Sequence, residues 1–156
     1  MMVDLPFSIP VTILLIVINV VMFVICLTEA GPSSGGKWTL TLLAMGAQFN
    51  PLSLDKEWNR IFTHMFLHGN VLHLAVNMYA LFTVGSRMEL LTGSKKFMIV
   101  FFICGVASAF NSLYWRLFSV GVGASGAIFG LFGFLLVTDL FFSRRDGNSM
   151  VFIVMN

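Results

Sequence analysis

The sequence predicts an all-α, polytopic membrane helix bundle with four full transmembrane helices and a truncated fifth, and two observations carry that prediction. Hydrophobic residues make up 58% of the 156 residues and charged residues only 10%, whereas soluble domains are about one quarter charged. Charged residues are also absent from four long stretches, 5–28, 61–86, 97–115 and 117–138. Each stretch approaches or exceeds the roughly 20 residues that a helix needs to cross a bilayer. A lipid bilayer is therefore the partner that the composition indicates.

The apolar stretches are expected to be helices, because backbone groups in hydrocarbon must be satisfied within their own segment. The first helix, about 7–28, has no basic residue before it and is longer than a cleavable segment, so we interpret it as a retained span. A long loop, 29–59, follows; it is apolar enough to lie in the interface, with Trp38 and Trp58 as candidate headgroup anchors. The remaining helices are expected at about 65–85, 97–115, 122–142 and, in part, 149–156.

The charges are few and scattered. The net charge is +2 and the basic residues form no stripe, so no nucleic-acid partner is expected. Lys and Arg slightly favour the loops that would be inside if the N-terminus is cytoplasmic. These are Arg87, Lys95, Lys96, Arg144 and Arg145, against Lys37, Lys56, Arg60 and Arg116 outside. The sequence therefore predicts a multi-pass integral membrane protein with a cytoplasmic N-terminus.

Polar residues inside or beside apolar stretches are costly and usually functional, and two clusters stand out. The first holds all three histidines of the chain and consists of Arg60, Thr63, His64, His68, Asn70, His73 and Asn77. The second precedes and begins the fourth predicted helix and consists of Gly121, Gly123, Ser125 and Gly126. These clusters contain the candidate functional residues.

The spacing of the first cluster leaves two interpretations of its geometry. His73 and Asn77 are four residues apart and share one face of a helix. His64 and His68 share another face, roughly opposite if the helix is continuous. If the helix instead starts near Gly69, the earlier pair belongs to a preceding turn. Either pair can also simply join the loop to the bundle by hydrogen bonds.

A metal site is not expected. His64 and His68 have the spacing of a helical zinc pair, but Met65 stands where the H-E-x-x-H pattern needs a glutamate. Cys26 and Cys104 lie in apolar stretches, as buried small hydrophobic residues do, and their spacing suggests neither a metal site nor a disulfide. No cofactor is therefore predicted.

Ser125 lies in the pattern Gly-Ala-Ser-Gly-Ala, which is close to the G-x-S-x-G nucleophile elbow. An α/β-hydrolase is excluded, because Ala127 replaces the last glycine and the context is a membrane helix rather than a strand and turn. Gly126, Gly130 and Gly133 are instead expected to form one stripe that lets a second helix approach closely. On its own, this motif indicates packing more than catalysis.

Taken together, the two clusters resemble the rhomboid family of intramembrane serine proteases. The resemblance covers about 57–130, nearly half of the chain. It rests on the segments 57–64 and 68–77, on Gly85 followed by Glu89 in the expected loop, and on 123–126. The H-x4-H-x3-N spacing, with G-x-S-G one helix pair later, is its most specific part.

The resemblance implies a rhomboid-like fold and assigns roles to the residues of both clusters. Ser125 would be the nucleophile, and its backbone N–H with His73 and Asn77 would form the oxyanion hole. Structural roles near the site would fall to Gly123, Gly126, His68, Arg60 and Glu89, the last two bracing the first and second loops. The substrates would be transmembrane helices of membrane proteins.

The general base is the main departure from the family, in which a histidine on the sixth core helix activates the serine. No histidine follows His73 here. We therefore expect the chain to be the N-terminal portion of a longer protease, with nucleophile and oxyanion hole but no base, and to be inactive alone. One alternative is a non-catalytic rhomboid-like protein that binds transmembrane helices. Another is a transport bundle, which would pair intramembrane charges across helices.

Overall fold

The computed structural model describes residues 8–31, 36–116 and 118–146, with side chains to residue 140. This part is helical, and its one β contact is an isolated antiparallel bridge between Gln48 and Gly121. The helices are α1 (Pro10–Ala30), α2 (Gly36–Ala44), α3 (Asn50–Leu54), α4 (Arg60–Thr63), α5 (Val71–Ala80), α6 (Ser86–Thr92), α7 (Ser94–Trp115) and α8 (Ser125–Asp146). The all-helical fold class is confirmed. The predicted partial helix 149–156 lies outside the described residues.

Two of these helices, α1 and α7, are long and apolar enough to cross a membrane, and Ser125–Leu140 of α8 is a shorter apolar helix. They surround a core of large apolar side chains that includes Met65, Leu81, Phe97, Phe101 and Leu131. Because many aliphatic side chains of α1 and α7 remain exposed, their outer faces are suited to lipid rather than water.

Both boundaries predicted for the second helix, 65–85, differ from those in the structure. His64–Phe66 is a 3-10 turn, and the continuous helix begins only at Val71. Asn70 causes this break, because its side chain caps the helix by accepting the backbone N–H of His73 at 2.8 Å. The helix then continues through a π-helical segment, Leu81–Gly85, into α6. Glu89 therefore lies on a helix rather than in a loop.

The loop 29–59 contains α2 and α3, and Arg60 attaches it to the bundle. One guanidinium nitrogen of Arg60 donates to the carbonyls of Leu43 and Ala47, both at 2.7 Å. Its other donors bind the carboxylate of Glu57. Arg60 thus connects the loop 29–59 to the start of α4.

The two tryptophans of this region differ in exposure. Trp38 packs edge-on against Phe23 of α1, with ring centroids 5.4 Å apart. Its indole nitrogen is buried, so the expectation that Trp38 is a headgroup anchor is wrong. An anchor must present its N–H to the interface. Trp58 is 53% exposed.

Glu89 joins the beginnings of α1 and α7. Its carboxylate accepts the backbone N–H groups of Val11 at 3.0 Å and Thr12 at 2.8 Å, and the Thr12 hydroxyl at 2.7 Å. It also accepts the hydroxyl of Ser94, the first residue of α7. Because the first N–H groups of a helix have no partner within it, Glu89 acts as the missing cap of α1. It therefore connects the turn between α6 and α7 to the start of α1.

Glycines of α8 allow α7 to approach closely. A Cβ atom at Gly126 would lie 2.3 Å from Cβ of Ser108, and one at Gly130 would lie 2.4 Å from Cβ of Cys104. Nothing lies within 4 Å of the corresponding point at Gly133. Gly133 therefore does not belong to the contact, although helical periodicity placed it on the same stripe.

The two glycine positions give a matched test of this packing. We expect Gly130→Ala to lower the free energy of unfolding by about 1–3 kcal/mol, because the new methyl group overlaps the Cys104 side chain. Gly133→Ala should leave stability unchanged or raise it by up to about 1 kcal/mol, since alanine favours helix. Unfolding in detergent micelles measures both. Equal changes in the free energy of unfolding for the two variants would contradict the close contact at Gly130 and the open space at Gly133.

A salt bridge links the start of α6 to the second half of α8. Arg87 and Asp139 are 3.1 Å apart and both are partly exposed. Among the described residues this pair alone connects charges of two long helical segments. A single pair near helix ends braces the bundle and does not form a path of charges through it, so it gives the transport alternative little support.

Candidate active site

Ser125 is the first residue of α8, and the segment before it is held by backbone hydrogen bonds. Gly121 and Gln48 exchange two bonds, of 2.8 and 3.0 Å. Gly123 donates its N–H to the carbonyl of His64 at 2.9 Å. The position of Ser125 therefore depends on the loop 29–59 and on the turn that follows α4.

Gly123 makes room for His73. Its φ of +115° is a conformation that side chains rarely allow. A Cβ atom there would lie 2.9 Å from both Cε1 and Nε2 of the His73 ring, and 3.9 Å from the backbone nitrogen of Ser125. One edge of the imidazole thus faces the segment leading to Ser125. Nε2 of His73 and the backbone nitrogen of Ser125 therefore both lie within 4 Å of the same point beside Gly123.

The hydrogen bond that the other ring nitrogen of His73 accepts assigns the tautomer of this histidine. The backbone N–H of Gly69 donates to Nδ1 of His73 at 3.4 Å, so Nδ1 is unprotonated in this arrangement. A neutral imidazole then carries its proton on Nε2. The edge that faces Gly123 therefore presents a hydrogen-bond donor.

A cavity of about 400 Å³ contains both residues. Its lining is more polar than apolar. The lining residues come from the loop 29–59, the turn after α4, α5, the end of α7, the segment between α7 and α8, and the start of α8. They are Gln48, His64, His73, Ser108, Asn111, Ser112, Trp115, Arg116, Val120, Gly121, Val122, Gly123, Ser125 and Gly126. The cavity thus unites the two sequence clusters.

Asn77 is buried one turn further along α5. Its amide nitrogen donates to the backbone carbonyl of His73 at 2.8 Å. Asn77 does not line the cavity, so the structure brings His73 and Ser125 together but leaves Asn77 beside them. One N–H of its amide group remains for another acceptor.

The earlier histidines do not lie opposite His73, as a continuous helix would require. The chain is not helical at 67–70, and this break places His68 next to His73. The two imidazole rings pack edge-on, with centroids 5.1 Å apart. Nδ1 of His64 lies 3.0 Å from the carbonyl of Arg60. In the described ranges no three His, Cys, Asp or Glu side chains are grouped so that they could hold a metal ion.

His68 gives the protein a pH-dependent stability. Its ring is buried in the non-helical segment 67–70, and burial, with the charge of His73, lowers its pKa to about 4. The unfolded histidine has a pKa of about 6.5, so the unfolded chain binds the proton more readily between these values. The free energy of unfolding therefore falls as the pH falls through this window, by at most about 1.4 kcal/mol per pH unit.

His68→Phe tests this dependence, because phenylalanine keeps an aromatic ring against His73 but cannot titrate. We expect the variant to lose less stability than the wild type between about pH 6.5 and about pH 4. Burial also lowers the pKa of His64, so the difference between the two proteins is the informative quantity. The free energy of unfolding of both proteins is measured in detergent at several pH values. If it falls equally with pH in the two proteins, His68 does not cause the pH dependence.

The remaining predicted residues lie at different distances from the site. Gly126 lines the cavity, and Arg60 holds the adjoining loop. Glu89 contacts the start of α7, whereas the cavity contains its last residue, Trp115. The 22 residues of α7 span about 30 Å at 1.5 Å per residue. Placing Glu89 near the site was therefore wrong; it braces the opposite end of the bundle.

Sequence reasoning missed several lining residues. Ser108 and Ser112 are spaced four residues apart in an apolar helix, a signal of one polar face that could have identified them. Gln48 carries no such signal. Its amide nitrogen donates to the carbonyl of Ala109 at 2.8 Å, a contact that exists only after the loop has folded onto α7.

The fold and cavity define an apolar helix bundle in which a serine at a helix start lines the same cavity as a histidine. Comparisons with known proteins agree with this class. The Rhomboid domain family model matches residues 55–155. The chain is similar to Rhomboid protease GluP of Bacillus subtilis (strain 168), with 34% identity over 148 residues, 92% of this chain and 28% of that protein.

Two further relatives show the same relationship. Rhomboid protease AarA of Providencia stuartii is 32% identical over 139 residues, 80% of this chain and 49% of that protein. RHOMBOID-like protein 1 of Arabidopsis thaliana is 37% identical over 108 residues, 68% of this chain and 26% of that protein. The chain thus spans between about a quarter and a half of the length of these relatives. It belongs to the rhomboid family and is a membrane protein.

Proposed function

We propose that the chain carries the nucleophile and the oxyanion donors of an intramembrane serine endopeptidase that cleaves transmembrane helices of membrane proteins. One observation carries the proposal: Ser125 and the donor edge of His73 line one polar cavity and converge beside Gly123. The similarity to proteins named rhomboid proteases supports the same activity.

In this proposal the hydroxyl of Ser125 attacks the carbonyl carbon of the scissile peptide bond. The negative charge that develops on the carbonyl oxygen is stabilised by the backbone N–H of Ser125 and by Nε2–H of His73. The start of α8 adds the positive end of the helix dipole. Asn77 is a second, weaker side-chain donor, through the N–H that the His73 carbonyl leaves free. Donors fixed in advance are needed because bulk water is scarce at membrane depth.

The general base comes, in this proposal, from a histidine on a later helix, as in the family that the chain belongs to. His73 cannot fill this role in the tautomer that the hydrogen bond from Gly69 assigns, because Nε2 then carries the proton where a base needs a lone pair. We therefore propose that the 156 residues alone are inactive.

The membrane arrangement is also a proposal. We infer four full transmembrane helices, formed by α1, by α5 with α6, by α7 and by α8. The N-terminus is placed in the cytoplasm on the distribution of Lys and Arg. The cavity then opens toward the opposite side, since it lies at the far end of α7 from Ser94.

Labelling with a serine-reactive fluorophosphonate tests the catalytic proposal. We expect Ser125 to be labelled, as located by mass spectrometry, in a form extended through the histidine-bearing helix. The matched Ser125→Ala form should be unlabelled, and the 156-residue form nearly so. Strong labelling of the short form would place the base within it. An extended form that binds transmembrane helices but is never labelled would favour a non-catalytic binding protein.

A further inference from the structure

The end of α7 forms part of the cavity wall. Trp115, its last residue, and Arg116, its C-cap, both line the cavity that contains Ser125 and His73. Both side chains are exposed. The backbone N–H of Arg116 donates to the carbonyl of Ser112 at 2.9 Å. This bond fixes the base of the arginine side chain beside the opening of the cavity.

The cavity has positive but no negative ionisable groups among its lining residues. Its titratable members are His64, His73 and Arg116, and no aspartate or glutamate lines it. The described residues pair Arg60 with Glu57 and Arg87 with Asp139, but place no carboxylate in a salt bridge with Arg116. The permanent charge at the opening is therefore positive and available to an incoming ligand.

We infer that Arg116 is a specificity residue that binds a carboxylate of the substrate close to the cleaved bond. This inference rests on the proposed protease function, because the substrate must enter the cavity that Arg116 lines. A guanidinium binds a carboxylate through two parallel hydrogen bonds, which gives direction as well as attraction. Substrates with Glu or Asp in the segment beside the scissile bond are therefore cleaved in preference to those with Lys.

Arg116 also has two structural functions that the test must separate. A cation at the C-terminus of a helix stabilises that helix, and Arg beside Trp at a membrane surface commonly contacts lipid headgroups. Neither function distinguishes one substrate from another. The ratio of kcat/KM for two substrates, measured with the same variant, is independent of the folded fraction. Measuring the ratio with and without anionic lipid separates the effect of the headgroups from that of Arg116.

The experiment uses the extended protein in phosphatidylcholine vesicles, with and without phosphatidylglycerol. The substrates are single transmembrane helices that carry either Glu or Lys at one position, scanned over a few residues on each side of the cleaved bond. We expect the wild type to cleave the Glu form about tenfold faster at one position or more. Arg116→Glu should reverse the preference. Lys37 is an exposed residue of α2 and does not line the cavity. The Lys37→Glu variant should therefore keep the wild-type preference for the Glu substrate.

The outcomes separate this inference from the proposed function. If Arg116→Glu keeps the wild-type ratio at every scanned position, or only slows all substrates in step with the phosphatidylglycerol content, the inference is wrong although cleavage stands. If no substrate is cleaved, the proposed function fails. Binding of the same helices, measured by energy transfer in the same vesicles, then decides the inference: preference for the Glu form supports it, and equal binding overturns it.

Discussion

Replacing His73 with Ala is expected to lower kcat of the extended protein by about 10²–10³-fold, the usual effect of losing one oxyanion donor. The KM value should change little, because the oxyanion forms only in the transition state and not in the bound substrate. The measurement is cleavage of a transmembrane substrate in vesicles over a range of substrate concentrations. Folding of the variant is checked by its unfolding midpoint, since His73 also packs against His68.

Asn77→Ala is the matched comparison for this prediction. Its amide already donates to the His73 carbonyl and does not line the cavity, so we expect the smaller loss in kcat, about tenfold or less. Equal losses in the two variants would mean that both side chains bind the oxyanion directly. A larger loss for Asn77→Ala would reverse the proposed order of the two donors.

Glu89→Ala is expected to lower the free energy of unfolding by about 2–4 kcal/mol, because it removes the buried acceptor of several hydrogen bonds. The backbone N–H groups of Val11 and Thr12 would be left without an acceptor, and α7 would lose its link to α1. Glu89→Gln should lose less, since one amide oxygen can still accept. Unfolding in detergent micelles, followed by tryptophan fluorescence, measures each variant.

Glu29→Ala is the control for Glu89. Glu29 lies exposed near the end of α1, and surface substitutions of this kind usually change stability by less than about 0.5 kcal/mol. If Glu89→Ala were no more destabilising than Glu29→Ala, the hydrogen bonds to the start of α1 would contribute nothing to the stability of the bundle. That outcome would contradict the capping role.

The fold class could be predicted because a long charge-free segment in lipid must satisfy its backbone hydrogen bonds internally, which few structures other than a helix allow. Helix boundaries were harder to predict where apolar residues continue across a break. The segment 61–68 contains no Asp, Glu, Lys or Arg, so charge did not mark the end of the 3-10 turn. Gly69 did indicate that the helix could begin there, and the structure agrees with that alternative rather than with a helix from residue 65. The break is imposed by the side chain of Asn70, which caps α5. The polarity of a sequence does not report such a local hydrogen bond.

Residues of the candidate site were predictable to the extent that their types are unusual in a membrane segment. Ser125 and His73 stood out for this reason, and the structure places them in one cavity. The stripe of glycines was predicted from the helical periodicity of the sequence alone, and its inclusion of Gly133 was wrong. Periodicity gives the face on which a residue lies but not the length over which two helices stay in contact. Gln48 was missed because its bridge to Gly121 is made by backbone atoms, which every residue possesses.

The backbone bonds around Ser125 have a consequence for biogenesis. Gly121 is held by a residue 73 positions earlier in the chain, and Gly123 by one 59 positions earlier. A ribosome delivers these partners long before the serine itself. Ser125 can adopt its observed position only once the earlier loop has folded onto the nascent bundle. Under the proposed function, the active site would therefore form late in assembly, after most of the bundle has been made.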